Sequence, residues 1–220
     1  MRRSVVAAAV LLLTGCTHPA ERAPAPSAKP ATRHIDPGNI RRVRRDLPSG
    51  YEVHAASGIT APQSIWGIGA GGSASPRRCG ALADPAAGRG QTAQGISGSG
   101  AGGTIYAMVV AAPTGPVGLD QSLTGQCRQW SMTGKRAVAR VHLVDAPHID
   151  GAETLGMAAE ITTSVEGGNQ IVSRADTFTA YLGDYYAFTT LISDPGSPNP
   201  ALTPQFTADL LAKTVSALRG

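Results

Sequence analysis

Charged and aromatic residues are scarce in this chain of 220 residues, and it has only one long apolar run. Charged residues make up 15% and aromatic residues 5%, whereas 42% of the residues are hydrophobic. So few charges exclude a coiled coil, and so many apolar residues exclude a wholly disordered chain. Because the only long apolar run is at the N-terminus, the chain is not a polytopic membrane protein. Gly (27) and Pro (16) are abundant instead, which favours turns and strands over long helices.

The N-terminal segment has the order of an export signal. Arg2 and Arg3 precede nine apolar residues (5–13), too few to cross a bilayer core of about 30 Å as a helix. A leucine-threonine-glycine-cysteine sequence then ends at Cys16 and resembles the lipobox of bacterial lipoproteins, in which the cysteine receives a diacylglycerol. We therefore expect residues 1–15 to be a signal peptide and Cys16 to anchor the chain on the extracytoplasmic face of the cell membrane. A plain secretory peptide cut elsewhere is the alternative.

A Pro-rich stalk is predicted to follow the anchor, over residues 16–37. This stretch contains five prolines and no apolar period, so it stays extended, with a reach of roughly 60 Å at most. Basic residues concentrate near it: residues 17–46 have a net charge of +4, whereas residues 47–220 contain ten basic and twelve acidic residues. The positive charge of the whole chain therefore does not indicate nucleic-acid binding by the domain.

Apolar periodicity predicts an α+β domain over residues 38–220. Consecutive strands joined by short turns form hairpins, so we expect an antiparallel sheet with helices packed on one face. The predicted strands cover residues 51–55, 91–98, 103–112, 137–144, 156–165, 171–181 and 185–193. The predicted helices cover residues 37–47, 79–83, 119–131 and 204–218. Residues 57–76 are predicted to form a long loop.

The first predicted helix also carries a cluster of basic residues. Ile40, Val43 and Leu47 lie on one face of it. Its remaining positions include Arg41, Arg42, Arg44 and Arg45. These arginines are either the solvated face of the helix or, beside a lipid anchor, a contact with anionic headgroups.

Two cysteines remain in the domain, Cys79 and Cys127. Disulfides persist in exported proteins, and neither a third cysteine nor a histidine lies near either residue in the sequence. We therefore predict a structural disulfide, which in the chain-entropy model contributes up to roughly 4 kcal/mol. A reactive thiol or a pair of metal ligands is the alternative.

Two patterns suggest cofactor or metal binding, and we predict neither. Residues 67–72 match G-x-G-x-x-G, but Ser-Ala-Ser-Pro follows where a dinucleotide-binding fold needs a helix. His142, Asp145 and His148 lie three residues apart, and positions three apart on a strand face opposite sides of the sheet. They could converge on a metal only if the chain turned between them.

Catalytic motifs are not recognisable in the predicted domain. No serine lies in a G-x-S-x-G elbow, and the mature domain has no S-x-x-K pattern. The carboxylates Glu160, Glu166, Asp176 and Asp184 have no local context that indicates acid–base chemistry. We therefore predict that the protein is not an enzyme.

Trp66 is the one aromatic residue in a glycine-rich loop. Its indole is either a core anchor that fixes the loop, or a mobile lid over an apolar cleft, in which case Trp66 is a ligand-binding residue. The sequence leaves both roles open.

Several segments follow one another in a recognisable order. They are Cys16, residues 47–53, residues 79–85, Cys127 with Trp130, residues 176–184 and residues 213–215. Over roughly residues 40–220 this order resembles a family of mycobacterial lipoproteins that carry an uncharacterised domain. More remotely, it is similar to the extracellular sensor domain of a mycobacterial receptor serine/threonine kinase. That resemblance implies a ligand-binding cleft, although the sensor domain has two disulfides and this chain has cysteines for one. Neither family implies catalytic residues.

Together, these features predict a lipid-anchored cell-envelope lipoprotein. Its domain would bind a small apolar or amphipathic ligand, such as a lipid, or an envelope partner, without a cofactor. An envelope hydrolase and a structural or immunomodulatory surface lipoprotein are the alternatives. The sequence leaves the oligomeric state open.

Overall fold

An antiparallel sheet of nine strands runs through residues 34–220, the part of the chain that the computed structural model describes. Its strands are β1 (Glu52–Ser57), β2 (Ser73–Ser75), β3 (Thr92–Gly100), β4 (Gly103–Ala111), β5 (Gln129–Thr133), β6 (Ala137–Val144), β7 (Glu153–Ser164), β8 (Gln170–Tyr181) and β9 (Tyr185–Ser193). Their order across the sheet is β1-β3-β4-β9-β8-β7-β6-β5-β2. The predicted α+β class is confirmed. The predicted signal peptide, Cys16 and the stalk up to residue 33 lie outside the described residues.

The N-terminal helix is a 3-10 helix over Pro37–Asp46. Its cap is Asp36, whose side chain accepts a hydrogen bond from the Gly38 N–H at 2.9 Å. The backbone N–H of Asp36 also donates to the Leu218 carbonyl at 2.8 Å, and Ile35 is buried. Packing of the domain thus begins a few residues ahead of the predicted boundary at residue 38.

The central strands are buried on both faces. On β9, Tyr186 and Phe188 point into one core, and Ala187 and Leu191 point into the other. The N-terminal helix and α3 (Pro204–Arg219) cover one side, which we call the helix face. The predicted packing of helices on one face holds for these two long helices. Within residues 34–220, no helix is both long and apolar enough to cross a membrane.

A layer of loops and short helices covers the opposite side, which we call the loop face. Its helices are α1 (Pro62–Ile65), the 3-10 helix Arg77–Leu82 and α2 (Gln121–Gln126). Cys79 and Cys127 form the predicted disulfide within this layer, with their Cα atoms 5.6 Å apart. Both residues are fully buried, so the bond ties the Arg77–Leu82 helix to the end of α2 above the sheet.

The helix predicted over residues 119–131 is wrong in its second half. Helix α2 ends at Gln126, and the N–H of the next residue, Cys127, donates to the Leu123 carbonyl at 2.7 Å. The chain then enters β5, which pairs with both β6 and β2. Trp130 consequently lies on a strand, where its side chain joins the core of the loop face.

Trp66 lies in the core of the loop face, where its side chain is only 1% exposed. Its Nε1–H donates to Thr177 Oγ1 at 3.3 Å, and that oxygen lies 3.0 Å from Thr190 Oγ1. The indole thereby links the loop layer to two central strands. This position favours the anchor role over the lid, and a ligand-binding role for Trp66 stays a prediction.

We predict that Trp66→Ala lowers the free energy of unfolding by about 3 kcal/mol or more, because it empties a large buried volume. Trp66→Phe is the matched control: it keeps most of the packing and loses the hydrogen bond to Thr177, at a cost of about 1 kcal/mol for that bond. Thermal or urea unfolding measures both changes. An unchanged midpoint for Trp66→Ala would contradict the anchor role and support the lid.

A half-buried carboxylate lies within the loop layer. Asp84 Oδ2 accepts a hydrogen bond from Gln63 Nε2 at 2.9 Å, but Asp84 Oδ1 is buried without a hydrogen-bond partner. Burial therefore raises the pKa of Asp84 above its ordinary value. The folded state then binds the proton more tightly than the unfolded state does. Stability from this group is complete at low pH and is lost as the pH rises through the raised pKa.

We predict that Asp84→Asn raises the melting temperature at pH 7, because the amide removes the half-buried charge and still accepts from Gln63. The gain should vanish below the ordinary pKa of aspartate, where Asp84 is already protonated.

Asp120→Ala should have the opposite effect on the melting temperature. Hydrogen bonds from Ser122 lower the pKa of Asp120, so its stabilisation is present at pH 7 and lost in acid. Melting curves between pH 3 and pH 7 test both signs. A lower melting temperature for Asp84→Asn at pH 7 would refute the argument.

Candidate binding groove on the open half of the sheet

The helix face of the sheet is covered over only about half its width. The N-terminal helix and α3 pack mainly over β3, β4, β9 and β8. On the same side of β6 and β7, side chains such as Arg140, His142 and Glu160 are exposed. We call this uncovered surface of β5–β8 the open face.

The antiparallel register aligns the outward side chains of three strands. His142 on β6 pairs with Ala158 on β7, which pairs with Asp176 on β8. Directly paired residues share a face of the sheet, so the small side chain of Ala158 lies between the imidazole and the carboxylate. Asp176 is half-buried, and its burial raises the pKa of its carboxyl, whereas the positive charges of Arg174 and His142 act to lower it.

A row of three charged residues lies beside these side chains. Arg140, Glu160 and Arg174 occupy successive positions across β6, β7 and β8. Arg140 Nη1 lies 3.4 Å from Glu160 Oε1, and both side chains are largely exposed, so this pair contributes little to stability. Within residues 34–220, the Arg174 guanidinium makes no hydrogen bond, so its donors are free to bind a ligand.

A groove of about 430 Å³ runs between these polar side chains and the segment that leads into α3. Ala158 is in its floor, and Ala201, Leu202 and Pro204 form its wall. The Leu202 N–H donates to the Gly102 carbonyl at 2.9 Å, which holds the wall in place. The groove therefore has a charged side and an apolar side.

His142 also borders two neighbouring depressions, of about 440 Å³ and 750 Å³. It is thus the side chain shared by three concave surfaces on this part of the sheet. The metal-site pattern that drew attention to His142 is not assembled, because within residues 34–220 no three His, Cys, Asp or Glu side chains form a group that could hold a metal ion. His148 instead pairs with Asp150, with Nε2 and Oδ1 3.1 Å apart.

The other residues singled out from the sequence lie elsewhere. Trp66, Cys79 and Cys127 are buried under the loop face and do not line the groove. The glycines of residues 67–72 lead into β2, not into the helix that a dinucleotide site needs. Cys16 lies outside the described residues.

Sequence reasoning missed the groove because its parts come from separate strands. Glu160 and Asp176 were each without local context, and Arg174 was not a candidate. One sign was available: in the middle of three consecutive predicted strands, polar or small residues recur at every second position, as in Arg140 and His142, in Ala158 and Glu160, and in Arg174 and Asp176. That alternation indicates a solvent-facing side, but only the register places His142, Asp176 and Arg174 together.

Two crystal structures are similar to this structure. A crystal structure of an uncharacterised protein from Mycobacterium smegmatis, an Rv0999 ortholog, matches with a TM-score of 0.63 at 20% sequence identity, covering 86% of this chain and 100% of that one. The extracellular domain of PknH from Mycobacterium tuberculosis matches with a TM-score of 0.45 at 12% identity, covering 84% of this chain and 92% of that one. The first likeness shows the fold alone, and the second is too weak to support an argument about function.

Sequence comparison gives the family. Among curated proteins, none matches this chain significantly. A family model described as a domain of unknown function (DUF5642) matches residues 36–219, nearly the whole of the part that the structure describes. The predicted resemblance to a mycobacterial family with an uncharacterised domain is confirmed, and the chain belongs to the DUF5642 family.

Proposed function

We propose that this protein is a lipid-anchored protein of the cell envelope whose domain binds a small amphipathic ligand in the groove of the open face. The observation that carries the proposal is the two-sided groove, with the exposed guanidinium of Arg174 opposite the apolar wall at Leu202 and Pro204. The lipobox-like sequence ending at Cys16 and the Cys79–Cys127 disulfide support an extracytoplasmic location.

The chemistry of the groove favours a ligand with an anionic group and a short apolar part. Arginine binds carboxylates and phosphates through paired N–H donors, and among the residues from 34 onwards none accepts a hydrogen bond from the Arg174 guanidinium. Leu202 and Pro204 offer an apolar surface a few residues away. Asp176, which is half-buried beside Arg174, would accept a hydrogen bond from a hydroxyl or amine of the ligand.

Binding is better supported than hydrolysis. A serine hydrolase needs a serine within hydrogen-bond reach of a histidine that a carboxylate orients. In the described part of the chain, the one hydrogen bond of a histidine side chain is between His148 and Asp150. His142 lies near Asp176 but has no serine hydrogen-bonded to it. We therefore propose a non-enzymatic protein.

Native mass spectrometry of the protein purified from its host tests the groove. We expect a co-purifying small molecule on the wild type. Ala158→Trp should abolish it, because the indole fills the floor of the groove between His142 and Asp176. Ala87→Trp is the matched control, since Ala87 is exposed in the loop layer, and it should retain the ligand. A wild-type protein that carries no ligand, with folding intact, would favour a structural role for the surface instead.

Metabolic labelling with an alkyne fatty acid tests the anchor. We expect the wild type to be labelled and Cys16→Ala to lose the label, because the lipid is attached through that thiol. The double variant Cys79→Ala/Cys127→Ala should stay labelled, which separates the anchor from the disulfide. A mature N-terminus that is unmodified or starts elsewhere than residue 16 would contradict lipid anchoring.

A further inference from the structure

The exposed large apolar side chains of residues 34–220 all lie at one end of the sheet. They are Val138 (41% exposed), Val165 (36%), Ile171 (52%) and Val172 (43%). We call this end the tip: the start of β6, the end of β7, the start of β8 and the turns 134–136 and 165–169. A single exposed valine is ordinary, but four large apolar side chains at one place need an explanation.

The tip projects because the hairpin of β7 and β8 extends past the end of β9, the strand that pairs with β8. The last residue of β9, Ser193, pairs with Arg174, so residues 170–173 of β8 extend past β9. Four residues of strand correspond to about 13 Å. Val172 faces the open side of this extension, and Ile171, which is next along the strand, faces the other. Apolar side chains are therefore exposed on both faces of a projecting hairpin.

Basic residues flank the apolar ones. Lys135 and Arg136 are exposed in the turn before β6, and the Arg136 carbonyl accepts from the Ser164 N–H at 2.8 Å, which holds this turn against the end of β7. Glu166 is the one acidic residue in the two turns of the tip. The tip is thus positive, although residues 47–220 as a whole have more acidic than basic residues.

We propose that the tip is a second membrane contact, which inserts its apolar side chains among lipids and holds anionic headgroups with Lys135 and Arg136. Apolar side chains edged by basic ones are the composition that binds membrane interfaces, where insertion reaches about 5–10 Å. An extension of about 13 Å is long enough for that depth. The proposal rests on the envelope location proposed above.

The chain between anchor and domain is long enough for both contacts. The domain begins at the opposite end of the sheet, where Asp36 bonds to Leu218 and Arg219 bonds to Asp150 in the turn between β6 and β7. The 12 residues of β7 separate the two ends, a distance of roughly 40 Å. Seventeen residues lie between Cys16 and His34, and they allow about 50 Å when extended.

Charge argues against a second copy of the chain as the occupant of the tip. The unpaired edge of β8 at residues 170–173 is a possible site for strand pairing between copies. Antiparallel pairing of two such edges would keep β7 between that edge and the turn that holds Lys135 and Arg136 in each copy, so a second copy would bring no acidic partner to these two residues. An anionic lipid surface complements the same two residues.

Vesicle flotation tests the proposal with a chain that has no anchor. Residues 34–220 lie within one compact unit, so the chain from Thr17 to Gly220, without Cys16, is used. We expect it to float with vesicles of equal parts phosphatidylglycerol and phosphatidylcholine and to float less with phosphatidylcholine alone. Lys135→Gln/Arg136→Gln should weaken partitioning to the anionic vesicles about tenfold or more, as each basic residue near the surface contributes roughly fivefold. Ile171→Ser/Val172→Ser should weaken it by about tenfold through loss of apolar insertion.

Arg77→Gln/Arg89→Gln in the loop layer is the matched control, because it removes the same charge from exposed side chains away from the tip. It should leave partitioning nearly unchanged. The proposal is overturned if the wild type does not float with anionic vesicles, or if the control loses binding and the tip variants do not. It is also overturned if sedimentation shows a dimer that the tip variants abolish. Because this chain lacks Cys16 and keeps the groove, either result leaves the anchor and the ligand site as separate questions.

Discussion

Burial of β8 and β9 on both faces is the constraint on which the rest of the domain depends. A strand that is apolar on both sides needs two covers, and the chain supplies them from different regions. The N-terminal helix and α3 come from the two ends of the domain, whereas the loop layer comes from its middle. Buried threonines join each cover to the sheet: Thr189 Oγ1 donates to the Thr207 carbonyl of α3 at 2.9 Å, and Thr177 accepts from Trp66. The hydroxyls thus satisfy polar groups that burial would otherwise leave unpaired.

The open face exists because the two helices on the helix face are together narrower than the nine-stranded sheet. Neighbouring strands lie about 4.8 Å apart, so nine strands span roughly 38 Å. Two packed helices, each about 10 Å across, cover roughly 20 Å of that width. They lie over the strands from β3 to β8, and the far strands keep one side in water. The groove therefore forms where α3 ends its cover, beside the last strand that it contacts.

The sequence predicted the elements whose signals are local. The helices over residues 37–47 and 204–218 and the hairpin of strands 171–181 and 185–193 were predicted from local patterns, and the structure has all three. It did not predict β2 or β5. Trp130 fits both a helical face with Leu123 and a strand with Met132, because a short apolar run fits either period. The pairing of β5 with β2 and the disulfide at Cys127 decide for the strand, and both are contacts between distant parts of the chain.

The candidate site was beyond prediction for the same reason. The register of three strands must be known before one can see that His142, Glu160 and Asp176 are close in space. A shift of the register by one residue would turn these side chains to the other face of the sheet. Only the class of function could be predicted, since the lipobox-like sequence, the cysteine pair and the family resemblance are readable along the chain.

The need for a stable fold explains some of the residues on the open face, but it does not explain those of the groove or the tip. Exposed charges such as Arg140 and Glu160 keep an uncovered sheet from stacking on another, and their weak ion pair adds little else. Unlike these exposed charges, Asp176 lowers the stability of the fold when it is charged, because it is half-buried and its pKa is raised. The side chains of Ile171 and Val172 expose apolar surface to water on a part of β8 that extends past β9, and a stable fold does not require that extension. A soluble sheet needs none of these three residues, and each lies where the helix cover or the neighbouring strand stops. Their shared position at these boundaries is the physical reason to assign binding to this half of the sheet and not to the covered half.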